Sequence, residues 1–473
     1  MNTQEQMAGR PIQARLRMAI VCLLAMTLES CAVYHAQPLD KSRGLAPPIQ
    51  SLHASADQSA LPMPKTWKQQ SINLKQDLNE TDTVVLAVLN SPRLEVARAE
   101  LIEAKATLYA AGLLPDPQAQ LSLAYPTSKG PNLSRGESFG LGIDLQKLLT
   151  LSARRDAASE RVQATYLNIL WQEWQVVQQA RMLWRRALIQ QQQIQLLQDQ
   201  FQQARSTWEG IRKALDLGNS TLDQEGLALA PMMTAQAAVK EAQRQFNATM
   251  HDLHLLLGLD PSATLELSGP KDISSLIGAP MRDNLLQSRL DAIAQHRPDL
   301  LALQAGYESQ EDQVREQILQ QFPSFSLGIN RSRDTSGVWT TGPFINLNLP
   351  IFNRNQGGIA VARATRMRLR QAYRYGLASA YVQASKVAKD QQIAYSEWLA
   401  LSKRMPKLET TEIRLSNALA SGEINLLAFT TLRTAYFSQK MKILVLDQEL
   451  LEQEVAIETL TGTLLPAPHN SHY

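Results

Sequence analysis

The chain has 473 residues, ample for several hydrophobic cores, but only 6% are aromatic and the rest runs in long Ala/Leu/Gln/Arg/Glu tracts, a composition of extended helices rather than compact globules. Lys plus Arg number 47 against 44 for Asp plus Glu, so net charge gives no argument for nucleic acid. No Walker loop, dinucleotide fingerprint or His-Glu-x-x-His pattern occurs, and the expectation is no enzyme and no cofactor.

The first element is a signal peptide over 1–30. Arg10, Arg15 and Arg17 form a cationic region, and the apolar run from Met18 to Leu28 is too short to span a bilayer. It ends Leu28-Glu29-Ser30-Cys31, which resembles a bacterial lipobox, with Cys31 acylated (palmitate among its acyl groups) and becoming the mature N-terminus. Cys22 leaves with the signal, so no intrachain disulfide is possible. Residues 31–72 hold Pro38, Pro47, Pro48, Pro62 and Pro64 without a hydrophobic period and read as an extended tether.

A first repeat follows over 73–270. Helical spacing runs to about Leu114 and stops at Pro115 and Pro117. Two strands with one apolar face come next, at 119–125 (Leu121, Leu123, Tyr125) and 139–145 (Phe139, Leu141, Ile143). A long helix is expected over 150–217, because neither Gly nor Pro occurs between Gly142 and Gly210 while Leu167, Leu170, Trp174, Val177, Trp184 and Leu188 keep a 3/4 spacing. The tryptophans Trp171, Trp174 and Trp184 read as interhelical packing. Gly218 ends this helix, and another runs over 222–257. His251 and His254 share a helix face, but without a third ligand they make no metal site.

The second repeat, 271–465, uses the same order: a helix over 282–321, strands at 324–330 and 343–349, a long helix over 355–420 with bends at Gly376 and Pro406, a reversal at Gly422 and a helix over 424–461. A flexible tail takes 466–473. Gly218 and Gly258 reappear as Gly422 and Gly462, and Pro92 and Pro117 as Pro298 and Pro323, all at an offset of about 200 residues, far longer than a solenoid unit. The fold class expected is mainly α with a small transmembrane β part, in two helix-strand-strand-helix-helix halves. No apolar run beyond the signal reaches the roughly 18 residues of a membrane helix, so a membrane crossing must use strands. Four strands cannot close a barrel, and other copies of the chain are needed to remove the open edges.

This order of elements resembles the TolC-type outer-membrane factors over almost all of the mature chain. The most specific match is Leu349-Pro350-Ile351-Phe352-Asn353-Arg354-Asn355-Gln356-Gly357, similar to the strand-to-helix junction of that family and, in its Asn-Arg-Asn-Gln-Gly form, to its CzcC-like heavy-metal branch. The first-half counterpart, Leu145 to Ser152, lacks the Pro and Phe. The resemblance implies a homotrimer with four strands per protomer in a 12-stranded outer-membrane barrel, continued by α-helical rods into the periplasm. It also implies docking of the helix reversals on a periplasmic adaptor protein attached to an inner-membrane pump of RND type. By motif the docking positions are Arg212, Leu215, Gly218 and Ser220, with Leu419, Gly422 and Ile424 in the second repeat. Asp216, Asp223 and Glu423 sit at the same turns, where threefold symmetry would make rings of carboxylates favouring cations. On the strands, Leu121, Leu123, Leu141, Ile143, Leu327, Ile329, Ile345 and Leu347 are expected to face lipid, with Ser122, Asp144, Asn330, Asn346 and Asn348 toward water. The exported substrate, drug or metal ion, is not legible. A periplasmic coiled-coil scaffold lipoprotein without a pore is the alternative, and it leaves the four strands unexplained.

Overall fold

The computed structural model describes residues 34–39, 45–46, 49–52, 72, 76–128, 130 and 133–462. The signal peptide, Cys31 and the tail 466–473 lie outside them. The residues up to Gly44 form a unit of their own, and the helices and strands belong to the unit that begins at Leu45.

Each half opens with two helices where the sequence suggested one. The helix α1 (Glu80–Asn90) is capped by the Asn79 side chain, which accepts from Asp82 N at 2.9 Å, and α2 (Pro92–Ala111) starts on its proline. The break falls at Ser91 because the residue before a proline is driven out of the α region; its ψ is 120°. In the second half Arg297 (ψ 117°) parts the later pair at Pro298 for the same reason.

The strands β1 (Gln118–Ala124) and β2 (Gly136–Asp144) follow, then a short helix α3 (Leu145–Leu149) whose first N–H groups bond the Asp144 carboxylate. The helix α4 (Leu151–Asp216) has 66 residues, about 100 Å of unbroken helix. It reverses into α5 (Leu222–Leu256). The second half supplies α6 (Asp283–His296), α7 (Pro298–Leu319), β3 (Ser324–Arg333), β4 (Trp339–Asn348), α8 (Gln356–Ala420) and α9 (Leu426–Thr461). The strands β2, β3 and β4 are longer than the apolar alternation implied, reaching 9 or 10 residues by recruiting polar positions such as Arg331 and Thr340, which brings them to the length a tilted strand needs to cross a bilayer. The helix α8 continues through both Gly376 and Pro406.

The two halves meet in one antiparallel sheet of order β1-β2-β3-β4, where Leu141 pairs with Ile329 across the join and β1 and β4 are left as edges. Below the sheet the helices pack in the order α2-α4-α7-α8, and farther away in the order α5-α4-α9-α8.

The main core forms where α1 crosses the middle of α4. Val84 to Val88 are all but inaccessible, which suits a helix apolar on every side. The tether expectation needs correcting here: Ile49, Leu52 and Ile72 are buried against Leu253, Leu257 and Leu259, and Ala46 exchanges backbone hydrogen bonds with Gly258 and Asp260. Apolar side chains spaced too irregularly to reveal a period still repay burial at about 25 cal/mol per Å². Beside this core Arg181 and Arg185 of α4 lie between Glu80 of α1 and the α9 carboxylates Glu458 and Glu454, while Arg186 pairs with Glu452. Half-buried charges of this kind hold two elements in one register because separating them leaves a desolvated charge unpaired.

Candidate functional site

The sheet has two unlike faces. Register places Ala119, Leu121, Phe139, Leu141, Ile143, Leu327, Ile329, Ile345 and Leu347 on one side, and most of these large side chains are exposed, Leu121 at 72%. A contiguous exposed apolar band of this size marks a surface that water does not normally cover. At the loop end of the same face stand Tyr125 and Trp339, with the Arg331 guanidinium 4.8 Å from the Trp339 ring centroid, the polar and aromatic rim that strands show at a membrane interface.

The opposite face is small and polar: Gln120, Ser122, Ser138, Asn330, Asn346 and Asn348. Ser138 donates to Asn330 at 2.9 Å. Asp144 belongs to this face by parity, but its carboxylate is engaged at the start of α3. Phe344 is the exception among these polar residues. Its ring lies over Gly140, Gly142 and Gly328, where a methyl on Gly142 would come within 3.0 Å of it. Three glycines without side chains form the seat that a flat ring fills.

The junction from β4 into α8 is held by consecutive left-handed residues, Arg354 (φ 46°) and Asn355 (φ 51°). The Asn355 amide donates to Gln317 O at 2.8 Å and Gln317 Oε1 at 2.9 Å, which stabilises a conformation that side chains seldom adopt. Below it one cleft is lined by Thr107 of α2, Arg154 and Arg161 of α4, Gln310 of α7 and Thr365 of α8. Four helices share that cleft, whose lining mixes these polar side chains with apolar ones such as Leu113, Leu114, Ala157 and Val361.

At the far end both reversals use one device. Gly218 has φ 74° and donates to Leu215 O, while Asn219 N donates to Ala214 O at 2.7 Å; Gly422 has φ 76° and donates to Leu419 O, while Glu423 N donates to Ala418 O at 2.8 Å. These are Schellman closures, in which the left-handed glycine lets the last carbonyls of the helix find donors. Thr221 and Gln224 form a capping box on α5, and the Asn425 side chain accepts from Ala428 N to start α9.

The residues expected at this tip fall into two groups. Arg212, Gly218, Gly422, Asp216, Asp223 and Glu423 are exposed, and Leu215, Ser220, Leu419 and Ile424 are half-buried. The Arg212 guanidinium lies 5.3 Å from the Trp208 ring centroid, and Ser220 donates to Gln224. A hydrogen bond with Thr221 keeps the Asp223 carboxyl below the usual range. Sequence reasoning missed Leu217, Leu222 and Leu427, which stand exposed at the turns, the first two at 76%. The signal was a leucine on each side of a glycine reversal. Back from the tip, Arg433 of α9 bonds Gln203 of α4 and approaches Glu412 of α8 at 3.7 Å, tying both hairpins together.

Both His254 ring nitrogens face carbonyl oxygens, of Met250 and Ala263, which accounts for that residue without a ligand. Among the described residues no three His, Cys, Asp or Glu side chains come together as a metal site, and no helix is long and apolar enough to cross a membrane.

Residues 290–463 match the family described as Outer membrane efflux protein. No curated protein matches the chain. Several solved structures share its fold. The MtrE outer membrane channel of Neisseria gonorrhoeae, in its open state, is 17% identical with a TM-score of 0.65, over 80% of this chain and 88% of that one. CusC, described for transmembrane channel formation, is 18% identical with a TM-score of 0.66, over 85% and 97%. The CmeC outer membrane channel of Campylobacter jejuni is 14% identical with a TM-score of 0.65, over 91% and 95%.

Proposed function

We propose that this chain, which has the TolC-type outer-membrane factor fold and carries the efflux-protein match in its second half, is the exit duct of a tripartite efflux system. The observation that carries the reading is the two-faced sheet with two open edges. Its apolar face suits lipid, its small polar face suits a wet lumen, and both edges present unpaired backbone groups that a bilayer would not tolerate. Closure by further copies satisfies them, and three copies give twelve strands. The cleft side of the helical layer would then continue the lumen into the periplasm.

A duct has no need of a reaction centre; it needs a wall that cargo does not stick to. The Thr and Gln side chains lining the cleft and the Ser and Asn side chains of the polar sheet face are neutral hydrogen-bonding groups of this kind, and Arg154 of the cleft is engaged by the Ala111 carbonyl. Specificity and energy would come from an inner-membrane pump of RND type, through a periplasmic adaptor. The reversal tips suit the adaptor: Leu217, Leu222 and Leu427 offer small apolar anchors around Gly218 and Gly422, with Arg212, Leu215, Ser220, Leu419 and Ile424 beside them. Asp216, Asp223 and Glu423 would ring the aperture and favour cations there. Acylation at Cys31 would add a second hold on the membrane.

Single-channel recording in planar bilayers tests the reading. Purified protein should insert and conduct, and should copurify with the outer membrane. A protein found only in soluble periplasm, with no conductance, would favour the pore-less scaffold.

A further inference from the structure

Two guanidinium groups at the loop end of the sheet have no carboxylate within ion-pair distance among the described residues. By strand parity Arg331 and Arg333 stand on the same side as Leu327 and Ile329, the apolar face. Arg331 is exposed and lies over the Trp339 ring, while Arg333 is half-buried and its Nε meets no acceptor. Both nearby acids are engaged elsewhere. Glu137, opposite Arg333 in the register of β2 and β3, is held by Arg135 at 2.6 Å, and the Asp334 carboxylate accepts from Ser336 N and Val338 N at 2.9 Å each.

Residues two apart on a strand point the same way about 7 Å from each other, so two arginine side chains can converge on one group between them. Toward the helices the next residues on this face are Ile329 and Leu327, both exposed, with Phe139 and Leu141 beside them on β2. A pair of cations above an apolar band, with a half-exposed indole alongside, is a surface for an amphiphile: an anionic head above and hydrocarbon below. One arginine at such an edge would simply reach for water. Two on one face, without an anion of their own, repel each other until a shared anion lies between them. Guanidinium forks match phosphate oxygens in pairs, and two positive charges balance a phosphomonoester, which carries close to two negative ones at neutral pH.

We infer that Arg331 and Arg333 clamp the phosphomonoester headgroup of an outer-leaflet lipid, with Trp339 beside the headgroup and the acyl chains running over Ile329, Leu327 and Leu141. The site is complete within β3 and its two neighbouring strands in a single chain. It discriminates by charge: a zwitterionic or neutral headgroup leaves at least one guanidinium uncompensated at the edge of the hydrocarbon. A lipid held there fixes the depth at which the strands sit in the bilayer. The inference rests on the conduit proposed for the chain, because helices that continue into the periplasm put the opposite, loop end of the sheet at the outer leaflet.

The test is native mass spectrometry of the full-length protein released from phosphatidylcholine nanodiscs doped with a bis-phosphorylated glucosamine lipid (lipid A) or with the same lipid after enzymatic dephosphorylation. The parent protein should keep the phosphorylated lipid and lose the dephosphorylated one. Arg331→Gln with Arg333→Gln should lower retention of the phosphorylated lipid by about tenfold or more. Arg331→Lys with Arg333→Lys should lose part of it, because a point charge replaces a fork. Equal retention of the two lipids by the parent, or undiminished retention by the glutamine pair, would overturn the clamp. Displacement of the lipid by millimolar inorganic phosphate would overturn it too, by showing a site for the free anion. With a parent protein that conducts in planar bilayers, each of these results leaves the duct standing. A parent that neither inserts nor conducts would overturn both.

Discussion

The Phe344 ring lies across Gly328: a methyl added to Gly328 would sit 2.5 Å from the ring and closer still to the Leu141 carbonyl on the neighbouring strand. One aromatic side chain on the otherwise small polar face thus depends on glycines contributed by both halves of the chain, Gly140 and Gly142 from the first and Gly328 from the second.

Gly328→Ala should therefore disrupt the sheet more than Gly142→Ala, whose added methyl meets the ring at 3.0 Å and the nearest backbone oxygen at 3.4 Å. The expected outcome is loss of the heat-resistant oligomer for Gly328→Ala and a moderate drop in its dissociation temperature for Gly142→Ala. Gel mobility of unheated and heated samples reads both. Equal behaviour of the two variants would show that the ring does not set the spacing.

Leu141 and Gln120 face opposite sides of adjacent strands. An arginine at Leu141 would be forced against hydrocarbon at a cost of about 2–4 kcal/mol, whereas one at Gln120 would meet water. Leu141→Arg should deplete the protein from the outer membrane, while Gln120→Arg should assemble and change the ion selectivity of the conductance. The reverse pattern would mean that the faces are assigned the wrong way round.

Gly218 and Gly258 both adopt positive φ, but only the second is crowded. A methyl on Gly258 would lie 2.7 Å from Asn90 O, whereas nothing approaches Gly218. Gly218→Ala should cost only left-handed strain, about 1 kcal/mol, and Gly258→Ala clearly more. Thermal denaturation in detergent would rank them, and Gly218→Ala should still insert and conduct.

Glu173 is 1% exposed, and burial pushes its carboxyl up to about 7, with Arg98 offsetting only part of the cost. A carboxyl whose folded pKa lies above its unfolded value contributes stability that is complete below about 4.5 and lost as pH rises through about 7. Glu173→Gln should therefore gain in melting temperature relative to the parent at pH 8 and gain little or nothing at pH 5, the difference amounting to at most about 3 kcal/mol. A larger loss at pH 8 than at pH 5 would mean that the Arg98 pair outweighs desolvation.

Much of the chain could be read from local pattern. The alternation in Leu121 to Tyr125 and in Phe325 to Ile329 could only be strand, and the glycine-free run before Gly210 could only be helix, because periods of two and of 3.6 residues place side chains on incompatible faces. The reversal glycines were legible because a left-handed helix terminus has few other solutions. The proline breaks at Ser91 and Arg297 were equally available as signals, but the apolar period continues across each proline and hid them. The helix α1, buried on all sides, offered no polar face to mark its packing, and Ile49, Leu52 and Ile72 sit in a stretch whose prolines suggested an open tether.

Sequence alone determined that the halves are duplicates, that each carries a two-faced hairpin and a long helix, and that one chain cannot seal its own strands, since these follow from spacing along the backbone. The tertiary structure decided what spacing cannot: that the hairpins join through β2 and β3, that Phe344 finds its glycines across that join, and that Arg181 and Arg185 meet carboxylates from both ends of the chain. Residues about 200 positions apart come together only through packing, and the energy of that packing depends on partners that no local window contains.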